Sequence, residues 1–342
     1  GALAGGVSFY AAYPMTPSTS IMTYLAQKQK DAGILVEQAE DEIAAVNMAI
    51  GASYAGARVM TATSGGGFSL MTEALGLAAI QETPLVVVNI QRPGPATGLP
   101  TRTEQSDLSF VLTASHGEFA RMVISVRNPE DAFYQTVRAL NLADKYQTVV
   151  ILLGDQYLAD ATRTTPPFDF DRVRIERYIH DGKGLQPGEY KRYQPVEEGV
   201  SPRLIPGKVP GQVVIASSDE HNEYGRITES AEVRVAMMDK RMSKLKGLRR
   251  ELLEPDYFGP QQPTHLLVGW GSLYGPLREA VEVLGAQGVS IGALVFGDLY
   301  PLPEERLRRY AKGAKNIINV EQNYTGQLAK LIRQETGILC NR

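Results

Sequence analysis

The sequence predicts an α/β fold in which a doubly wound, mainly parallel sheet is followed by a smaller α/β domain. Two observations carry this. Six short β-rich runs, at 7–13, 33–38, 57–63, 84–91, 120–126 and 147–153, are separated by helical stretches, the pattern of a parallel sheet covered on both faces. A second series begins at 264, with strands expected at 264–270, 289–296 and 315–322 and helices at 274–285, 303–312 and 325–336. Between them, 166–263 is rich in Pro, Gly, Arg and Tyr and weakly periodic. The expected organisation is therefore a first domain over 1–165, a linker and irregular extension over 166–263, and a second domain over 264–342.

Composition sets the outer limits. A chain of 342 residues with 43% hydrophobic content buries one large core or two ordinary ones. Its net charge of -3, from 35 basic and 38 acidic residues, creates no field that recruits nucleic acid or an acidic membrane. Cys340 is the only cysteine, so the chain has no internal disulfide and cannot by itself supply the thiolates of an iron–sulfur cluster. A reducing cytoplasm fits that usage. No run approaches a membrane span or a signal peptide, and Gly1 in place of Met leaves room for residues upstream.

The loop expected after the first strand reads YPMTPSTS, from Tyr13 to Ser20. It lies where open α/β sheets bind ligands, at the carboxyl end of a strand. Thr16 is expected as the N-cap and Pro17 as the first residue of a helix running to about Gln29. Such a terminus offers N–H groups and hydroxyls to a carboxylate or phosphate. The alternative is a cap with no ligand.

The stretch from Glu37 to Gly56 carries three consecutive acids, Glu40, Asp41 and Glu42, at the head of a helix that is apolar all round and therefore expected to be buried. Glu42 shares a face with Ala45, Val46, Ala49 and Ile50, so its carboxyl is expected to be desolvated and its pKa raised. The alternative is that all three acids complement the helix dipole.

ATSGGGFSLMTEALGLA, at 62–78, passes from strand to helix through three glycines. The Lys and Ser/Thr of a P-loop and the spacing of a dinucleotide fingerprint are both missing, so close backbone approach to a cofactor, or a tight turn, is the better reading. QRPGPATGLPTRTEQSDL, at 91–108, is a long polar loop in which Arg102 is placed to clamp a small carboxylate, or is simply solvated.

Taken in order and at their separations, YPMTPST, EDEIAA, ATSGGGFSLMTE and GLPTRTEQSDL resemble the alpha subunits of thiamine-diphosphate-dependent 2-oxoacid:ferredoxin oxidoreductases, most of all the 2-oxoglutarate branch. SSDEHNEYGRITES and NYTGQLAKLIRQETG extend the likeness over nearly the whole chain. One departure is Gly66, where the family commonly has proline.

The resemblance implies a pyrimidine-binding domain followed by a transketolase C-terminal-like domain. It implies that Glu42 hydrogen-bonds the aminopyrimidine of thiamine diphosphate, with Tyr13, Pro14, Ser64, Gly65 and Phe68 beside the cofactor. Thr16, held by its flanking prolines, and Arg102 would bind the substrate carboxylate. For the second carboxylate of 2-oxoglutarate the loop from Gln91 to Thr103 offers Arg92, the alternative being that Arg92 is a surface residue and a partner chain supplies that clamp. The resemblance further implies oxidative decarboxylation with coenzyme A as co-substrate and ferredoxin as electron partner, or the reverse reaction. The basic helical run at 239–251 is expected to be a solvated helix face, the alternative being a surface for coenzyme A or an acidic ferredoxin, and His116 either structural or close enough to a site to move protons. Gly154-Asp155-Gln156 is only a fragment of the GDG motif that holds Mg2+, so the diphosphate site and the iron–sulfur cluster are expected on a partner beta subunit. The rival readings are the beta subunit of a thiamine-dependent 2-oxoacid dehydrogenase, a pyruvate or branched-chain specificity, and a non-catalytic scaffolding subunit.

Overall fold

The computed structural model describes residues 1–341. All six strands of the first series form: β1 (Phe9–Ala12), β2 (Leu35–Gln38), β3 (Val59–Thr63), β4 (Leu85–Gln91), β5 (Arg121–Ser125) and β6 (Val149–Asp155). They pair in parallel throughout. Every residue of β3, β4, β5 and β6 is buried, as continuous apolar strands covered on both faces require.

The intervening helices are α1 (Thr19–Ala32), α2 (Glu42–Tyr54), α3 (Gly65–Leu70), α4 (Thr72–Ile80), α5 (Leu108–Thr113), α6 (Pro129–Tyr146) and α7 (Gln156–Asp160). On one face α1 and α6 pack Met22, Leu25 and Leu140 against Met60, Val86 and Val150. On the other, α2 and α4 pack Val46, Ile50 and Leu75 against Val59, Val87 and Ile151. Neighbouring residues of one strand thus enter opposite cores, the period-two consequence of the pleat.

The later elements are α8 (Ala231–Arg250), β7 (Asp256–Phe258), β8 (His265–Trp270), α9 (Tyr274–Ala286), β9 (Ile291–Phe296), β10 (Asp298–Tyr300), α10 (Glu305–Ala311), β11 (Asn316–Asn319) and α11 (Gln327–Thr336). A four-stranded sheet runs β11-β8-β9-β7. β10 leaves it and pairs antiparallel with β5, so the first sheet has seven strands in the order β10-β5-β6-β4-β3-β1-β2. Trp270, Leu294 and Phe296 share a core with Leu75 and Leu108, so the two units are packed into each other.

Four expectations are corrected. The extension is not irregular throughout, because α8 spans 20 of its residues. The basic run within α8 is not a solvated face: Lys240 and Lys244, one turn apart, both meet the fully buried carboxylate of Glu82, and Arg241 pairs with Glu220. The helix containing Glu42 is not buried all round. Only its 42, 45, 46, 49, 50 and 53 side faces the protein, while Ile43 and Met48 are exposed because this chain lays nothing over them. Lastly, α1 does not start at Pro17. Ser18 donates its backbone N–H and its hydroxyl to the Met15 carbonyl, closing a turn that ends before the helix can begin.

Candidate functional site at the carboxyl edge

Parallel register brings the carboxyl ends of five strands to one edge, with Ala12 beside Gln38, Thr63 beside Asn89 and Gln91 beside Asp155. The loops that leave this edge contain most of the residues singled out in the sequence. Tyr13, Pro14 and Thr16 follow β1, Glu42 heads the helix after β2, Ser64 to Phe68 follow β3, and Arg92 and Arg102 follow β4.

At α2 the acidic run divides its labour. Asp41 is the N-cap, its carboxylate accepting the Ala44 N–H at 2.7 Å, and it leaves Glu42 free to turn inward. Glu42 is 3% exposed, and its Oε1 finds no hydrogen-bond partner among the described residues. Burial pushes its carboxyl above the usual glutamate range, with a smaller push from the Asp41 charge. A buried carboxyl oxygen left without a partner is a costly arrangement unless something else supplies one.

The glycine turn is explained by what surrounds it. A Cβ on Gly67 would collide with Thr63 Oγ1 and with Glu42 Oε1, and a Cβ on Gly65 would meet both carboxyl oxygens of Asp107. Two carboxyls therefore flank one turn, and glycine at 65 and 67 is what lets them approach. At Gly66 a Cβ meets nothing closer than the Ala96 carbonyl at 3.9 Å. Gly66 is also the second residue of α3, so the proline common in the family is sterically compatible there. The buried hydroxyl of Ser64 and the buried carbonyl oxygen of the Asn89 side chain likewise lack partners among the described residues. Phe68, fully buried, stands edge-on to Phe110 at 5.4 Å and anchors the turn.

Thr16 is exposed, and its carbonyl accepts a hydrogen bond from Arg92 Nη1 at 2.6 Å. Those two residues are brought together. Arg102 is exposed, and among the described residues its side chain bonds only to its neighbour, Nη1 donating to the Thr101 carbonyl and hydroxyl at 2.9 and 3.1 Å. Its other guanidinium nitrogens have no protein partner among the described residues.

Asp107 escaped the sequence reading. It precedes α5 without capping it, accepts from Asn89 Nδ2 at 3.1 Å, and has its carboxyl raised by burial. A capping-type residue that fails to cap is visible only in three dimensions. His116 sits elsewhere, ahead of β5 at the amino edge, in a cavity of about 200 Å³ shared with α4 and α8, so it takes no part here. Asp155 caps α7 through the Leu158 N–H and accepts from the Ser272 hydroxyl, which uses it structurally.

Fold and site define a class: a doubly wound α/β protein with its ligand position outside the carboxyl ends of the strands. Comparison narrows that class. A family described as "Pyruvate flavodoxin/ferredoxin oxidoreductase, thiamine diP-bdg" matches residues 1–240, and "Pyruvate:ferredoxin oxidoreductase core domain II" matches 264–339. The chain belongs to this 2-oxoacid:ferredoxin oxidoreductase family.

Among its relatives, the 2-oxoacid:ferredoxin oxidoreductase 1 alpha subunit of Sulfurisphaera tokodaii is 40% identical over 98% of this chain and 55% of its own length. The 2-oxoglutarate synthase subunit KorA of Archaeoglobus fulgidus is 34% identical over 98% of this chain and 88% of its own. The chain thus spans about half the length of the first relative and most of the second. A solved 2-oxoglutarate:ferredoxin oxidoreductase from Magnetococcus marinus, with 2-oxoglutarate, coenzyme A and succinyl-CoA bound, superposes with a TM-score of 0.93 at 39% identity, covering 99% of this chain and 60% of that one. A split-gene transketolase at 10% identity and TM-score 0.53 shares the fold alone.

Proposed function

We propose that this chain supplies the pyrimidine-binding half of a thiamine-diphosphate site in a 2-oxoacid:ferredoxin oxidoreductase. It acts with a beta subunit that carries the diphosphate site, its Mg2+ and an iron–sulfur cluster. The reaction is oxidative decarboxylation of a 2-oxoacid, 2-oxoglutarate first, with coenzyme A to acyl-CoA and carbon dioxide, electrons passing to ferredoxin, or the reverse. The names of the Archaeoglobus and Magnetococcus relatives support 2-oxoglutarate.

One observation carries this reading: the buried Oε1 of Glu42 has no partner among the described residues, and it lies so close to Gly67 that any side chain at that position would collide with it. A flat heterocycle with a ring nitrogen fits that donor set, since a carboxyl of raised pKa can share a proton with it. Thiamine diphosphate, when bound, supplies the nucleophile that adds to the keto carbon. Glu42 holds the proton at its carboxyl oxygen, and Gly65 and Gly67 let the backbone come close. Tyr13 and Pro14, after β1, and Ser64 and Phe68, after β3, are assigned to the cofactor's surroundings. The Thr16 hydroxyl and the Arg102 guanidinium orient the carboxylate beside the keto group.

Ile43, Met48, Leu70 and Leu99 expose apolar surface on the elements around this edge, which supports a second polypeptide covering it. We assign residues 1–165 to the pyrimidine-binding domain, 166–263 to a connecting extension and 264–342 to a transketolase C-terminal-like domain. The lone cysteine fits a cytoplasmic protein.

The test is Glu42→Gln in the reconstituted complex, which keeps the shape and removes the shared proton. Turnover is expected to fall by at least about a hundredfold with folding intact. The isolated chain is expected to be inactive. Turnover of the variant within a few-fold of wild type would remove Glu42 from this role.

A further inference from the structure

We propose that Asn323 and Gln327, at the head of α11, are positioning residues that clamp the substrate loop from the second structural unit. This rests on the functional reading above for what the loop binds, and on geometry alone for the clamp. The segment NYTGQ, from Asn323 to Gln327, belongs to the family likeness but plays no part in the site described so far.

The loop that carries Arg102 ends at Asp107, and Gln105, Ser106 and, one residue into α5, Ser109 are bonded to the far unit. Gln105 donates its N–H to the Gln322 carbonyl at 2.8 Å and its side-chain amide to the Trp270 carbonyl at 3.0 Å. Its own carbonyl accepts from Asn323 Nδ2 at 3.0 Å. Gln327 closes the clamp from both ends of its amide, Nε2 donating to the Ser106 carbonyl at 2.6 Å and Oε1 accepting the Ser109 N–H at 2.8 Å. On the opposite side, the Asp107 N–H donates to Gln91 Oε1 at the end of β4. The segment 105–109 is therefore held between the two units, three residues beyond Arg102.

The clamp is itself preorganised. Glu321 accepts from Asn323 Nδ2 at 2.7 Å, from the indole N–H of the fully buried Trp270 at 3.2 Å and from the Leu328 N–H at 2.9 Å. Asn323 Oδ1 accepts the Gly326 N–H at 2.8 Å, which sets the turn leading into α11. One carboxylate thus fixes the helix start, the Asn323 amide and the core tryptophan together. Arg102, by contrast, is exposed and has no long-range bond among the described residues. Its position follows from where its loop is pinned, and a guanidinium displaced by about 1 Å loses much of its grip on a carboxylate.

The test uses the complete alpha–beta complex with Gln327→Met, which removes both amide contacts at similar size, and Gln327→Glu, which keeps the acceptor for Ser109. Hydrogen–deuterium exchange is expected to rise in peptides covering 99–109 and to stay unchanged in β3 and β4, more for Met than for Glu. KM for 2-oxoglutarate is expected to rise about tenfold with kcat changed less than about threefold and thiamine-diphosphate affinity unchanged. Asn323→Ala serves as a second variant with the same expected pattern. Unchanged exchange over 99–109 would overturn the clamp, and raised exchange with unchanged KM would overturn its role in positioning. If the wild-type complex turned over no 2-oxoacid, the functional reading would fall while the exchange result still decided the clamp.

Discussion

Arg92 Nη1 donates to the carbonyl oxygen of Thr16 at 2.6 Å, tying the loop after β1 to the loop after β4. The two strands are separated by β3, so the bond bridges the glycine turn that leaves β3 between them. Arg92 is therefore a brace for the Thr16 loop as well as a candidate reader of a second carboxylate.

The two roles predict a graded result for Arg92→Ala. Loss of the brace should raise KM for every 2-oxoacid, and loss of the free guanidinium nitrogens should penalise 2-oxoglutarate more than pyruvate. Steady-state kinetics with both substrates check this. Equal losses would leave Arg92 as a brace only and move the specificity to the partner subunit.

Arg102→Ala should behave differently, because the carboxylate proposed for it is common to all 2-oxoacids. Activity is expected to fall by a similar factor of roughly ten to a thousand for each substrate, the cost of one charge-assisted carboxylate contact. A drop confined to one substrate would assign Arg102 to side-chain recognition.

Gly67→Ala and Gly66→Ala make a matched pair at neighbouring positions. The Gly67 methyl would strike Glu42 and Thr63, whereas the Gly66 methyl makes only an ordinary contact with the Ala96 carbonyl at 3.9 Å. Thiamine-diphosphate binding measured by calorimetry on the reconstituted complex should be lost for Gly67→Ala and kept for Gly66→Ala. Retained binding in both would show that the pyrimidine does not bind beside Glu42.

The buried trio of Glu82, Lys240 and Lys244 gives a stability prediction away from the site. Glu82→Gln leaves two buried ammonium groups without their anion and should destabilise the chain by about 3–5 kcal/mol. Lys240 and Lys244, with Arg192, hold the Glu82 carboxyl well below its ordinary value of 4.5 although burial opposes them. A carboxyl whose folded-state pKa is depressed contributes stability that is present above pH 4.5 and lost as the pH falls below it. Denaturant midpoints measured from pH 7 downward should show this loss in wild type and not in Glu82→Gln.

The strands at the carboxyl edge were legible because parallel strands buried on both faces read as continuous apolar runs, and each βα junction carried its own local signal. The three glycines marked a turn, and Glu42 could be assigned an inward face from its 3.6-residue neighbours. Local signals could not say why glycine was needed at 65 and 67, since the reason is two carboxyls, Glu42 at the α2 start and Asp107 on the loop after β4.

What the sequence determined by itself was the order of the elements, the edge at which the loops gather and the inward turn of Glu42, all of which depend on residues close together in the chain. What only the tertiary structure decided involves partners far apart in it. The fate of the basic run depended on Glu82, 158 residues from Lys240. The seventh strand depended on β10, three residues too short to declare themselves, finding the open edge of β5. The hold on the substrate loop depended on Gln327 meeting Ser106 across 221 residues. A side chain's local pattern fixes which way it points, but whether a charge is solvated, paired or left waiting for a ligand is set by what the folded chain places opposite it.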